Sequence, residues 1–563
     1  MPRALLAGLS SLWVVACSSS STQVKLAPCT GASAGQVSLA VAGYAAIDPT
    51  QTAGCAVFGA NPSASARQYL LVPQAVSGVP DDASGYLLQG ATVPAAAAPF
   101  AAAPTGRAPA VPPQQQFDLV LRRAERDLAS HVGVPTRPQA VAPLARVPPM
   151  VGDKRVFKVC GNSTCTTHPT VVAFARDVGT HIAVFQDSAD EANGRALSTA
   201  DLDTLRLLFD TLLYAADTSA FGRESDIDNN GVVIVLMTGK VNSLVPSPCT
   251  GGYIGGYFFG GDLLPVSSVN PGSNLAEIFY SIVPDPSGTL SCAHTAAGVK
   301  HNVPGTFIHE FQHMISFNQH VLLRGNRLGE DLWLNEGLSH YAEEMGARLF
   351  IPGDSTTFCF FIAGDLYNSA QYLAAPGSHV LVDTSGIGGL ENRGAYWLFV
   401  RFLVDRFSSD TTRLANNVVT RALDRTTFTG AANVTNATGT PFATVVEQWA
   451  LATYVSDLPT FTAPPELQYT RWRFRTDYRT IHDACIPRTQ PNPPPYPSAY
   501  PLLPAAGDGS AINLAATLHS GSGSYYIAQQ AAGAVGFTLL FSNSAGYPLR
   551  ASLAPRLNVL RLQ

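Results

Sequence analysis

The sequence predicts an α+β protein, with a mixed sheet and two motif-bearing helices in mid-chain flanked by small β modules. Three observations predict it. Thr306 to Glu344 holds His309-Glu310-Phe311-Gln312-His313 and then Trp333-Leu334-Asn335-Glu336-Gly337, and the second run continues at helical spacing through Leu338, Tyr341, Ala342, Met345 and Leu349. Apolar runs of strand length precede these motifs, between Val156 and Asp187, at Val232 to Met237 and at Leu275 to Ile282. Both chain ends carry short alternating segments between turns, such as Gln68 to Val72 and Val535 to Phe541.

Arg3 precedes the apolar run Ala4 to Ala16, which is too short to span a bilayer and reads as a secretory signal over residues 1–16. Val14-Val15-Ala16-Cys17 resembles a bacterial lipobox, with lipid added to the Cys17 thiol. A plain signal cleaved near Ala16 is the other reading. The expected product is an exported cell-envelope lipoprotein, at an outer membrane if Ser18 acts as a release signal, or a secreted protein. Membrane contact is expected only through that N-terminal lipid anchor, since no later run approaches 18 uninterrupted apolar residues. Of nine cysteines, eight remain after Cys17, an even number that predicts disulfides. Eight cysteines allow 105 connectivities. The nearest-neighbour guess joins Cys29 to Cys55, Cys160 to Cys165, Cys249 to Cys292 and Cys359 to Cys485.

Residues 17–92 read as an N-terminal β unit or a removable propeptide, and 93–116 as an Ala/Pro-rich linker whose cleavage would separate that unit. The domain over 117–489 opens with an amphipathic helix, Phe117 to His131. A helix capped at Ser198 or Thr199 runs to about Leu213. Asp226, Asp228, Asn230 and Gly231 stand at the spacing of a calcium loop, but its twelfth position is Met237; Ca2+ and a plain Asp/Asn turn are the two readings. An irregular region, Phe350 to Leu390, precedes a helix from Arg393 to Phe407. The Pro-rich stretch 490–504 leads to a C-terminal β segment, 505–563.

Charged residues make up 13% of the 563, with a formal net charge of −5 and no basic cluster, so no nucleic-acid partner is expected. Helical pitch puts His309 and His313 on one face, able to share a zinc ion, with Glu310 at the metal's open side. A zinc ion that keeps an exchangeable position needs a third ligand from a second element, and Glu336 is the candidate. In the metzincin pattern a Gly and a third His would fall at 316 and 319, which are Ser316 and Gln319. The donor set is therefore of the gluzincin kind. Ligand histidines need the second ring nitrogen held; Glu343, seven residues after Glu336, is the candidate and Glu344 its competitor. Asn335 is read as orienting the turn that presents Glu336.

The strings Phe307 to His320 and Trp333 to Glu344 resemble the hyicolysin family of bacterial secreted metallopeptidases. The likeness extends from about Phe157 to Phe407, through Ser225-Asp226-Ile227-Asp228-Asn229-Asn230-Gly231, Gly256 to Asp262, Ser273 to Tyr280 and Ala395 to Phe402. It implies a zincin-like catalytic domain and protein or peptide substrates. It also implies an edge strand beside the site to which substrate adds, assigned to Leu275 to Ile282. Related gluzincins take an oxyanion donor from a later helix; Tyr396 is the candidate here, a core aromatic being the other reading, and an aminopeptidase-type registration places Glu391 there instead. The exopeptidase motif Gly-x-Met-x-Asn is absent before His309, which favours an endopeptidase. The expected reaction is peptide hydrolysis by a zinc-activated water with Glu310 as general base. The alternatives are a catalytically silent surface-binding lipoprotein, or a hydrolase of non-peptide substrates on the same scaffold. Sequence leaves the oligomeric state open.

Overall fold

The computed structural model describes residues 24–93, 111–131, 147–383, 389–408, 417–486 and 495–563. The signal at 1–16, Cys17, most of the 93–116 linker and part of the 490–504 stretch lie outside these residues. The architecture is α+β, with three sheets.

Two of the sheets correct the expectation of separate β modules at the two ends. One sheet has the order Gln36–Val37, Cys55–Phe58, Phe537–Asn543, Ala83–Thr92, Asn513–His519; the other runs Ala505–Asp508, Tyr526–Gln530, Arg67–Ala75, Pro555–Arg561, Tyr44–Ile47. N-terminal and C-terminal strands are interleaved in both, and their inner faces share one core in which Phe58 stacks on Phe537 at 4.3 Å. The physical reason is that each end alone leaves a strand edge and an apolar face without a partner. A cut in the 93–116 linker therefore leaves the N-terminal strands hydrogen-bonded to the C-terminal ones. Tyr44 and Arg556 tie this sandwich to the rest of the chain through Glu466 and Glu447, each at 3.0 Å.

The site-bearing part begins with helix α1 (Pro113–Ala129), four residues earlier than its apolar spacing suggested, with Pro at its first position. Six strands follow: β1 (Lys154–Lys158), β2 (Thr170–Val178), β3 (Ile182–Asp187), β4 (Val233–Met237), β5 (Gly256–Phe258) and β6 (Ile278–Ser281). Their order in the sheet is β5-β6-β4-β3-β2-β1, with β6, β4 and β3 parallel. The continuous apolar run of β4 is buried at every residue, as expected of a strand covered on both faces. β6, the strand expected at the edge, lies inside the sheet, and the edge is the three-residue β5. Apolar runs identify strands but carry no information on which of them ends the sheet.

Helix α2 (Ala296–Phe317) starts upstream of the motif, capped by the Thr295 side chain accepting from Gly298 N, and passes through Pro304. Helix α3 (Leu332–Arg348) carries Glu336, and α4 (Ser355–Ala374) replaces the expected irregular region, capped by Asp354 accepting from Thr356 N and Thr357 N. Helix α5 (Leu390–Phe407) packs on α3 so closely that a Cβ at Gly337 would stand 2.9 Å from Tyr396 O. The Gly of Asn-Glu-Gly is thus a packing requirement. Glu344 accepts from Trp397 Nε1 at 3.0 Å, Arg401 Nη1 at 3.1 Å and Trp472 Nε1 at 2.9 Å, so it locks α3 to α5 and is unavailable to the motif histidines. The four disulfides are Cys29–Cys55, Cys160–Cys165, Cys249–Cys292 and Cys359–Cys485, the nearest-neighbour set. Among the described residues no helix is long and apolar enough to cross a membrane.

Candidate metal centre

α2 presents His309 and His313 one turn apart, and α3 brings Glu336 against them. One donor atom from each of the three residues lies within 4.8 Å of the others, and all three are buried. The two Nε2 atoms are 3.2 Å apart, with Glu336 Oε2 3.6 Å from His309 Nε2 and Glu336 Oε1 3.6 Å from His313 Nε2. Both Glu336 oxygens are buried without a hydrogen-bond partner, and Arg393 Nη2 stands 3.3 Å from Oε2. A desolvated carboxylate with no donor is costly unless a cation faces it. Two imidazole nitrogens and a carboxylate suit zinc, so the residues present fit that ion. Burial pushes the Glu336 carboxyl up, but Arg393, 3.3 Å away, and the two histidines outweigh it and hold it well below the carboxylate range.

The outer nitrogens are held as a ligand pair requires. His309 Nδ1 lies 2.7 Å from Glu343 Oε1, and His313 Nδ1 lies 3.1 Å from Asn335 Oδ1. Asn335 therefore touches a motif histidine directly, from the first turn of α3, the turn that also carries Glu336. Burial raises Glu343, yet His340 and His309 outweigh it and hold it at about 2. Replacing Glu343 by Ala should weaken zinc binding about 10–100-fold, read by titration against a competing chelator. An unchanged affinity would reduce Glu343 to a half-buried acid with no effect on the metal.

Glu310 is buried, and its Oε2 accepts from Phe258 N of the edge strand at 3.0 Å. Burial pushes its carboxyl up to about 8 against the pull of His309, with Asp118 adding to the rise. A carboxyl near neutrality and beside the His309, His313 and Glu336 group is suited to taking and returning a proton.

Tyr396 is buried on α5 with its hydroxyl 3.2 Å from Asp383 Oδ2, the acceptor it serves. The cation next to Glu336 is Arg393, one turn earlier on the same helix. Glu391 accepts from Gly389 N at 3.1 Å, at the start of α5. Sequence reading passed over Arg393 and His340. Both were findable by helical spacing: His340 is four residues after Glu336, and Arg393 three before Tyr396. His340 Nδ1 lies 3.0 Å from both Asp365 Oδ1 and Glu343 Oε1, and the ring is 5.0 Å from that of His309.

Away from this group, Asp226 and Asp228 meet Glu277 within 4.8 Å. Asn230 is not in that set: its Nδ2 donates to Asp228 Oδ2 at 2.8 Å and its Oδ1 accepts from Val232 N at 2.7 Å, the bonds of an Asx turn. The third carboxylate comes from the residue before β6, distant in sequence, which is why a twelve-residue loop template missed it. Glu277 Oε1 accepts from Ser225 Oγ and Ile227 N, and its buried Oε2 has no partner.

No protein-family model matches the chain. A stretch of 196 residues is 34% identical to the neutral metalloprotease ShpI of Staphylococcus hyicus, covering 35% of this chain. The chain spans 40% of the length of that relative, and the likeness is to a protein named as a metalloprotease, in keeping with a buried two-histidine, one-glutamate group beside Glu310.

Proposed function

We propose that this chain is a zinc-dependent endopeptidase of the gluzincin type, akin to the hyicolysin family, acting on protein or peptide substrates. The observation that carries the reading is the buried His309, His313 and Glu336 group with Glu310 one residue from its first histidine. The metalloprotease named above supports it.

When bound, zinc lowers the pKa of a coordinated water towards about 7 and polarises a carbonyl. His309, His313 and Glu336 would hold the ion. Glu343 and Asn335 fix the two rings and their tautomers. The Glu310 carboxylate would take a proton and return it to the departing amine, and burial tunes it for that exchange. Phe258 N, bonded to Glu310, keeps the carboxylate aimed across the edge strand. The Arg393 guanidinium beside Glu336 supplies positive charge on the side of the site where Tyr396 was expected to act.

Export is part of this reading, supported by four disulfides, which persist in oxidising compartments. Lipidation of Cys17 at the cell envelope is its anchored form. The test is metal analysis of the purified chain with casein hydrolysis before and after chelation. One zinc per chain and chelator-sensitive cleavage are expected; no zinc, with cleavage unaffected, would sink the proposal.

The Asp226, Asp228 and Glu277 group is proposed as a Ca2+ site that ties the turn before β4 to the strand lead-in of β6. Calcium at 100 times its Kd should add about 2.7 kcal/mol of stability, read as a rise in melting temperature of the zinc-loaded chain. The rise should vanish in Glu277→Gln. An equal rise in both proteins would leave the loop a plain Asx turn.

A further inference from the structure

Helix α1 lies along the open edge of the central sheet and forms one wall of the metal group. As an edge strand, β5 turns backbone groups away from β6, where an extended chain can bond them. α1 already bonds two carbonyls of β5 and the N–H groups of the flanking Gly255 and Gly260, while Glu310 takes the N–H of Phe258. Gly255 N donates to Gln114 Oε1 at 2.9 Å, Gln114 Nε2 donates to Gly256 O at 3.1 Å, Arg122 Nη2 donates to Phe258 O at 2.7 Å, and Gly260 N donates to Glu125 Oε1 at 2.6 Å. The lengths match: from 114 to 125 a helix rises about 16 Å, and from 255 to 260 an extended chain, as in β5 and the residues flanking it, advances about 17 Å. On the same helix face, Asp118 Oδ2 accepts from Arg393 Nη2 at 2.5 Å.

These contacts differ from ordinary core packing. Phe117 and Leu121 of α1 are buried, with Phe117 edge-on to Tyr257 at 5.1 Å, but the face towards the site is polar. Both amide atoms of Gln115 and the Nε of Arg122 are buried without partners. Burial pushes the Glu125 carboxyl up to about 7. A polar face with unpaired groups weakens the seat, so α1 holds its place less firmly than a wholly apolar helix would. A cleft of about 220 Å³ remains beside it, lined by Gln114, Asp118, His309, Glu310, Glu343 and Arg393 among others.

We propose that α1 is a built-in occupant of the substrate cleft that keeps the site latent. Its release opens β5 to an extended polypeptide and Arg393 to a carboxylate on that substrate, the group Asp118 now supplies. The inference rests on the peptidase reading and deepens it.

The test uses the zinc-loaded full chain and two rates, zinc loss to 1,10-phenanthroline and cleavage of a quenched peptide carrying acidic residues. In Asp118→Ala/Arg122→Ala both rates should rise about tenfold or more, because weakening the closed state raises the open fraction by that factor. Gln114→Ala should move both the same way by less, and it decides the matter alone if the double variant does not fold. Unchanged rates in folded variants would overturn the proposal. So would faster zinc loss with slower cleavage, which would make α1 part of the working site. Faster zinc loss with no cleavage by any form, wild type included, would support the occupant and sink the peptidase reading instead.

Discussion

Replacing Glu310 by Gln should cut casein hydrolysis by about 10²–10⁴-fold while leaving one zinc per chain. The amide keeps the size of the side chain and can still accept from Phe258 N, the bond that holds Glu310 in place. It cannot take a proton. The metal should stay, because its donors are on His309, His313 and Glu336, and Glu310 is not among them. Metal analysis and cleavage on the same preparation separate the two effects. Cleavage within tenfold of wild type would remove Glu310 from the proton transfer, and loss of zinc would make it a ligand.

Replacing Glu336 by Ala should abolish zinc retention through dialysis and cleavage with it. Two histidines on one helix are an incomplete set for this ion, and the carboxylate removed is the one with both oxygens buried and without a hydrogen bond, facing Arg393 at 3.3 Å. Stability gives an independent readout. Zinc at 1,000 times its Kd contributes about 4.1 kcal/mol, so chelation should lower the melting temperature of the wild type. The variant should show no such response. Arg393 keeps Asp118 as a partner in that variant, so the change does not strand its charge. A variant that still binds one zinc tightly would point to the neighbouring His309, His340 and Glu343 set, which shares the first histidine.

Within single helices, residue order alone carried the placement of side chains. The pitch of α2 put His309 and His313 on one face, and the pitch of α3 put Glu343 with Glu336, as the 2.7 Å contact from Glu343 to His309 reflects. The same arithmetic was available for His340 and Arg393 and was not applied to them. The count of cysteines predicted disulfides, and the nearest-neighbour guess at their pairing matches the four bonds. Tertiary structure alone decided where separate elements meet. The two chain ends share one sandwich because neither can close its own sheets. β5 is the edge in place of β6, and Glu277 in place of Asn230 completes the acidic group, because strand order and cross-strand neighbours follow from pairing between distant segments. Tyr396 faces Asp383 and α1 covers the edge strand for the same reason. Periodicity records which face of an element is buried, and carries no record of what buries it.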